Sequence, residues 1–138
     1  MRKENPYTER ARLVLVFIQK GNYEYDKIIE AIDKEIADLE RRIIELKNMP
    51  IQEFMKMIAR RMFGVASKDY YIANYRKTIN TLTEIKRSID YMIDLYQNDR
   101  RWFEWVLTHS YKGKVREMRK AIQKIVENKQ TRKLTVFA

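Results

Sequence analysis

Eleven lysines and arginines fall within residues 100–138 of this 138-residue chain, against three acidic side chains. On a helical wheel Lys112, Arg116, Arg119, Lys120 and Lys124 share one arc, and Val115, Met118, Ile122 and Ile125 share the opposite one. Spaced cations on a rigid rod suit a phosphate backbone, because each neutralised phosphate releases condensed counterions. Arg100, Arg101, Lys114, Arg132 and Lys133 extend the same basic segment. These ten residues are the candidate nucleic-acid contacts. For a single charge run, a solvated helix face is the plainer reading. Segregation argues against it here. Residues 1–47 carry ten basic and ten acidic side chains and residues 48–99 carry eight and six, so +8 of the formal net +10 lies in residues 100–138. A polyanion is drawn to that end. A basic amphipathic helix can also lie on anionic lipid, but the apolar arc of this one lacks the Trp and Phe that anchor such helices, so no membrane partner is expected.

A second cluster is Asp99-Arg100-Arg101-Trp102-Phe103-Glu104-Trp105. Arginines beside aromatics can hold a backbone while rings stack on bases, at about 1–3 kcal/mol per base. Alternatively, Trp102, Phe103 and Val106 fill a core where a short helix crosses a bundle. Phe103 and at least one Trp are expected to be buried, leaving the other Trp for the surface. In Tyr70–Lys77, Tyr71 and Tyr75 share a helix face and are expected to be half-buried. Tyr70, Asn74 and Lys77 point elsewhere, where a ligand is within reach. Arg60 and Arg61 favour the dipole at a helix C-terminus without any ligand.

His109 is the only histidine and there is no cysteine. That rules out a disulfide framework and an ordinary zinc site. A histidine acting as general acid or base needs a positioned partner. Residues 101–111 resemble in part the HEPN ribonucleases, helical domains with an Arg, a short spacer and a His, often as His-x-Tyr. His109-Ser110-Tyr111 matches the second half, whereas the seven residues between Arg101 and His109 exceed the family's spacer. The resemblance implies RNA cleavage, and the departure in spacing leads to the expectation of none. The three glycines are isolated, so no phosphate-binding loop is present. Asp90 and Asp94 are four apart, a spacing that can hold a divalent ion, but balanced helix surfaces produce such pairs by chance. The chain is therefore expected to be non-enzymatic, without cofactor, metal or small-molecule substrate.

The elements that must present these residues are helices. Gly is scarce at 3 and Pro at 2, too few for an all-β fold. Tyr25, Ile29, Ile32, Ile36, Leu39, Ile43 and Leu46 step by threes and fours, a heptad seam along a helix predicted from Asn22, as its cap, to about Lys47. Ile72, Tyr75, Ile79, Leu82, Ile85, Ile89, Met92 and Tyr96 do the same on a helix capped by Ser67. The two are expected to pair as a long antiparallel hairpin. Further helices are predicted from Asn5-Pro6 to about Lys20, from Pro50 or Ile51 to before Gly64, from Arg100, capped by Asn98-Asp99, to about His109, and from about Lys114 to Asn128. Thr131–Ala138 contains Leu-Thr-Val-Phe, a β-prone run expected to form an extended arm.

The expected fold is all-α, a bundle of five or six helices built on the hairpin. It comprises one domain over residues 1–130 and an extended tail over 131–138. The longest apolar run, Leu13 to Ile18, is six residues against the roughly 20 of a membrane span. The N-terminus lacks a signal-peptide pattern. An intracellular, cytoplasmic location is expected, in a host cell if the protein is viral. The expected function is non-enzymatic association with nucleic acid, DNA or RNA, through phosphates and with weak sequence preference. It would act as a subunit of a nucleoprotein assembly or as a small viral or mobile-element regulator. The alternative is a protein-interaction module, an inhibitor or adaptor acting on an acidic protein or a nucleic-acid enzyme, with the Tyr25–Leu46 seam available for self-association.

Overall fold

A computed structural model describes residues 6–60 and 67–137, with side chains over 9–59 and 67–129. Six helices occupy the described residues: α1 (Pro6–Lys20), α2 (Tyr25–Asn48), α3 (Ile51–Arg60), α4 (Lys68–Asn98), α5 (Arg100–Ser110) and α6 (Val115–Phe137). The all-α expectation holds. Asn5 and Gly64 and the side chains of Arg60, Arg61, Arg132 and Lys133 lie outside the described residues.

The breaks between helices follow local chemistry. Asp99 caps α5, its carboxylate accepting the Trp102 N–H at 3.1 Å. This satisfies one of the donors that a helix start leaves unpaired. Gly113, at φ +84°, makes the corner into α6. Between α1 and α2 the sequence reading placed Asn22 as a helix cap. Instead Asn22 and Tyr23 both take left-handed conformations, at φ 47° and 65°, and α2 begins two residues later at Tyr25. Asn tolerates that region; a Tyr there is strained and has to be held by its surroundings. Gly21 permits the corner: a Cβ on it would meet the Ile28 backbone nitrogen at 2.9 Å.

The chain forms two compact units, Met1–Ile32 with Glu84–Ala138, and Asp33–Thr83. In the second unit, Ile43 and Leu46 of α2, Phe54 of α3 and Ile72 of α4 form a buried cluster, with Met49, Met57, Tyr71, Tyr75 and Ile79 packed on it. Phe54 meets Tyr71 edge-on at 6.1 Å. The Lys68 ammonium donates to the Met49 carbonyl, joining the start of α4 to the end of α2. Tyr71 and Tyr75 are half-buried, as expected, and Tyr70 is exposed.

In the first unit the core draws on α1 (Val14, Phe17, Ile18), α2 (Ile28, Ile32), α4 (Ile85, Ile89, Met92), α5 (Phe103, Val106, Leu107) and α6 (Met118, Ile122, Ile125). The closest backbone approaches are those of α6 to α1 and to α5. Small side chains are buried on both α1 and α6, at Ala11 and Ala121, where they permit close backbone approach. The long α2–α4 hairpin expected from the two seams is not shown; the helices meet at points within each unit, as where Tyr25 donates to Asp90 in the first. Along the seam of α2, Ile32, Ile43 and Leu46 are buried, while Tyr25, Ile29, Ile36 and Leu39 are only half-buried.

The C-terminus departs from expectation. α6 runs to Phe137, where an extended arm was expected from Thr131. Once a helix is nucleated, each added residue gains a hydrogen bond at little cost, and Lys, Arg, Gln and Leu through this stretch are good helix formers. The β preference of Thr-Val-Phe is a context-dependent bias of at most about 1 kcal/mol. Among the described residues no helix is long and apolar enough to cross a membrane.

Candidate nucleic-acid interface

The apolar stripe of α6 is locked into the core, with Met118, Ile122 and Ile125 fully buried. This turns Arg116 and Lys120 outward, and both are exposed, as are Arg101 on α5 and Lys112 in the turn before α6. Lys114 is half-buried. The sequence arc grouped these cations with Arg119 and Lys124, and there the structure divides them.

Arg119 faces α5. Its Nε and Nη2 donate to the two carboxylate oxygens of Glu104 at 2.9 and 2.6 Å. This bidentate fork is the strong geometry for an Arg–carboxylate pair. The hydrogen bond from Arg119 holds the Glu104 carboxyl below its usual pKa, and the same bond raises that of Arg119. Lys124 places its ammonium 4.7 Å from the centre of the Tyr23 ring, and Lys129 lies 5.0 Å from that of Tyr25. Asn128 Nδ2 donates to the Tyr23 carbonyl at 3.1 Å. The second half of α6 thus holds the left-handed turn between α1 and α2 in place. Arg100 is likewise engaged, its guanidinium 3.6 Å over the Tyr96 ring and its Nε donating to the Tyr96 carbonyl. By contrast, the charges of α2 are balanced locally, as at Arg41 between Asp38 at 3.4 Å and Glu45 at 3.8 Å.

The aromatic cluster differs from expectation. Phe103 is fully buried, edge-on to Tyr96 at 5.2 Å. Both tryptophans, however, are at the surface, Trp102 45% and Trp105 48% exposed. α5 carries two stripes of large residues, and the core took 103, 106 and 107. The other stripe is a column: Trp102 and Trp105 stack with ring centres 4.7 Å apart and planes within 1°, and His109 stacks on Trp105 at 4.0 Å and 18°. Trp102 Nε1 donates to the Tyr91 hydroxyl at 3.0 Å. His109 Nδ1 donates to the Trp105 carbonyl at 2.7 Å.

One feature escaped the sequence reading, a groove of about 340 Å³ between α1 and α6. Leu15, Val16 and Ala121 line it, with Arg12, Lys114 and Lys120 as its cations. Its signal lay in the unbroken run Leu13–Ile18, which is more apolar than one buried face requires and leaves Val16 at the surface. Asp90 and Asp94 do not act as a pair, since Asp90 accepts from Tyr25 and Asp94 from Asn98. Among the described residues no three carboxylate or imidazole side chains gather as a metal ion would need.

No protein-family model, no curated protein and no solved structure matches the chain.

Proposed function

We propose that this protein binds nucleic acid through its phosphate backbone, without catalysis. It would serve as a subunit of a nucleoprotein assembly or as a small viral or mobile-element regulator. The observation that carries this reading is the outward face of α6 and its approach: Lys112, Arg116 and Lys120 are exposed on a segment with net +8, while the opposite face is fixed in the core. A rigidly held row of cations interacts with phosphates without first losing helix entropy, and the outcome is salt-sensitive, sequence-tolerant binding.

The test is anisotropy of labelled DNA and RNA over a salt series. Four exposed cations (Arg101, Lys112, Arg116 and Lys120) predict a log–log slope of about −4 on duplex DNA. Charge reversal at Arg116 and Lys120 should reduce binding at least tenfold with helicity unchanged. Arg119 must be left intact, because a Glu there would face Glu104 and disturb the fold. Absence of binding at about 50 mM salt would sink the proposal.

A second reading, a protein-interaction module, draws on a separate observation. Ile44, Ile51 and Met55 are 58%, 73% and 50% exposed in the unit formed by Asp33–Thr83. Ile51 and Met55 share one face of α3, and exposed apolar side chains of this size suit a partner surface. Stoichiometric complex formation abolished by Met55→Glu, with no nucleic-acid binding by the isolated chain, would favour that reading.

A further inference from the structure

Among the described residues of the unit that contains α5, four large apolar side chains are exposed, and three of them are aromatic rings gathered at one place: Tyr91, Trp102 and Trp105. The fourth, Val16, lies in the α1–α6 groove. Two exposed tryptophans in parallel contact, continued by a histidine, form a column three rings tall. Folding does not require it. The core of α5 is already complete with Phe103, Val106 and Leu107, and water reaches nearly half of each indole. The column is also held in position. Tyr91 accepts from Trp102 at one end, and at the other the His109 ring is tied to the Trp105 carbonyl. A ring fixed in this way loses little freedom when another ring adds to it.

The surroundings select the occupant. A protein partner's contact core is rich in apolar side chains and poor in charge. Around this column the exposed positions of α5 are Arg100, Arg101 and Thr108, with Glu104 half-buried among them and Lys112 three residues beyond His109. Arg101 is one helical turn from Trp105 and on its face. Glu104 is already neutralised by Arg119. What remains is flat π surface flanked by cations, the combination that takes up unpaired bases together with their phosphates. Bases within a duplex are already stacked on both faces and present only their edges, so a column of this kind gains nothing from them.

We propose that the Trp102–Trp105–His109 column is a stacking platform for single-stranded nucleic acid, with bases adding to its end faces and Arg101 and Lys112 taking the flanking phosphates. This rests on the phosphate-binding reading above and narrows it to a substrate class.

The experiment compares an oligo-dT or oligo-U 20-mer with a 20-base-pair duplex at one salt concentration, by anisotropy and by quenching of the intrinsic tryptophan fluorescence. Wild type should bind the single strand more tightly than the duplex, with quenching that saturates along the same curve as anisotropy. Trp102→Ala, which removes the indole at one end face of the column, should weaken single-strand binding by roughly 5- to 150-fold, the range for loss of one stacked base. Duplex binding should change by less than about twofold, and Trp102→Phe should recover most of the loss. Circular dichroism verifies that each variant folds; the quenching of wild type needs no variant at all. Binding of both forms with equal affinity, with no quenching and no effect of Trp102→Ala, overturns the platform and leaves the phosphate reading standing. No binding of either form by wild type overturns both.

Discussion

Arg119 of α6 forks onto Glu104 of α5 across 15 residues of chain, with both nitrogen–oxygen distances below 3 Å. This takes one cation of the α6 arc into an ion pair within the fold. The pair is 43% exposed on each side, so water and salt screen it, and its contribution to stability is about 1 kcal/mol at most. Its pH dependence has a definite sign. The folded-state pKa of Glu104 is lowered, chiefly by the hydrogen bond from Arg119. The stabilisation is therefore present above the unfolded value of a glutamate and is lost as pH falls through the lowered folded value. Glu104→Gln should melt below wild type at pH 7, and the gap should close on acidification towards pH 3. A gap that stays constant across this range would mean that charge plays no part in the pair.

Core truncation should distinguish α6 from the α2 seam. Ile122 is fully buried where α6 joins the unit core, so Ile122→Ala should cost about 2–5 kcal/mol in urea denaturation. Leu39 reads from sequence as an equal core position, yet it is half-buried. Leu39→Ala should cost about 1–2 kcal/mol, in line with the smaller area lost. Equal costs would show that the seam of α2 is more tightly packed in solution than its exposure indicates.

Helix identity was legible because the information is local. Apolar steps of three and four gave the helix between Lys68 and Asn98, and Asp99 announced the start of α5 with a carboxylate in capping position. What was illegible depends on neighbours distant in sequence. α5 has two stripes able to be buried, and periodicity cannot say that Phe103, Val106 and Leu107 win over Trp102 and Trp105. The arc of α6 was drawn correctly, but a wheel shows only one helix. It cannot reveal that Glu104 waits beside Arg119, or that a strained turn brings the Tyr23 ring under Lys124. The misread tail has the opposite cause, a local β preference outweighed by propagation of the helix before it.

The corner between α1 and α2 should be intolerant of a single methyl group. A Cβ on Gly21 would press on the Ile28 backbone nitrogen at 2.9 Å and the Glu24 carbonyl at 3.2 Å, atoms that cannot rotate aside. Gly21→Ala should lower stability by about 1–3 kcal/mol, read as a lower urea midpoint at unchanged m-value. At Gly113 the space is open and only the positive φ matters, so Gly113→Ala should cost about 1 kcal/mol. If Gly21→Ala were neutral, the turn would have room to open without disturbing α2.

Lys120 and Lys124 are one helical turn apart and look equivalent in sequence, yet the structure gives them different tasks. Lys124 lies over the Tyr23 ring, beside the hydrogen bond from Asn128 to the Tyr23 carbonyl, and so holds a residue at φ 65°. An exposed cation–π contact contributes about 0.5–1 kcal/mol. Lys120 is exposed and lines the groove against α1. The expected result is a double dissociation. Lys124→Gln should lower the urea midpoint and alter nucleic-acid affinity by about twofold or less. Lys120→Gln should leave the midpoint unchanged, weaken binding and reduce the magnitude of the salt slope by about 1, as for one lost phosphate contact. Tyr23→Leu should reproduce the stability loss of Lys124→Gln, and the double variant should lose less than the sum of the singles, because both remove the same contact. Equal effects of the two lysine substitutions on binding, with none on stability, would return Lys124 to the polyanion face and remove the structural task assigned to it.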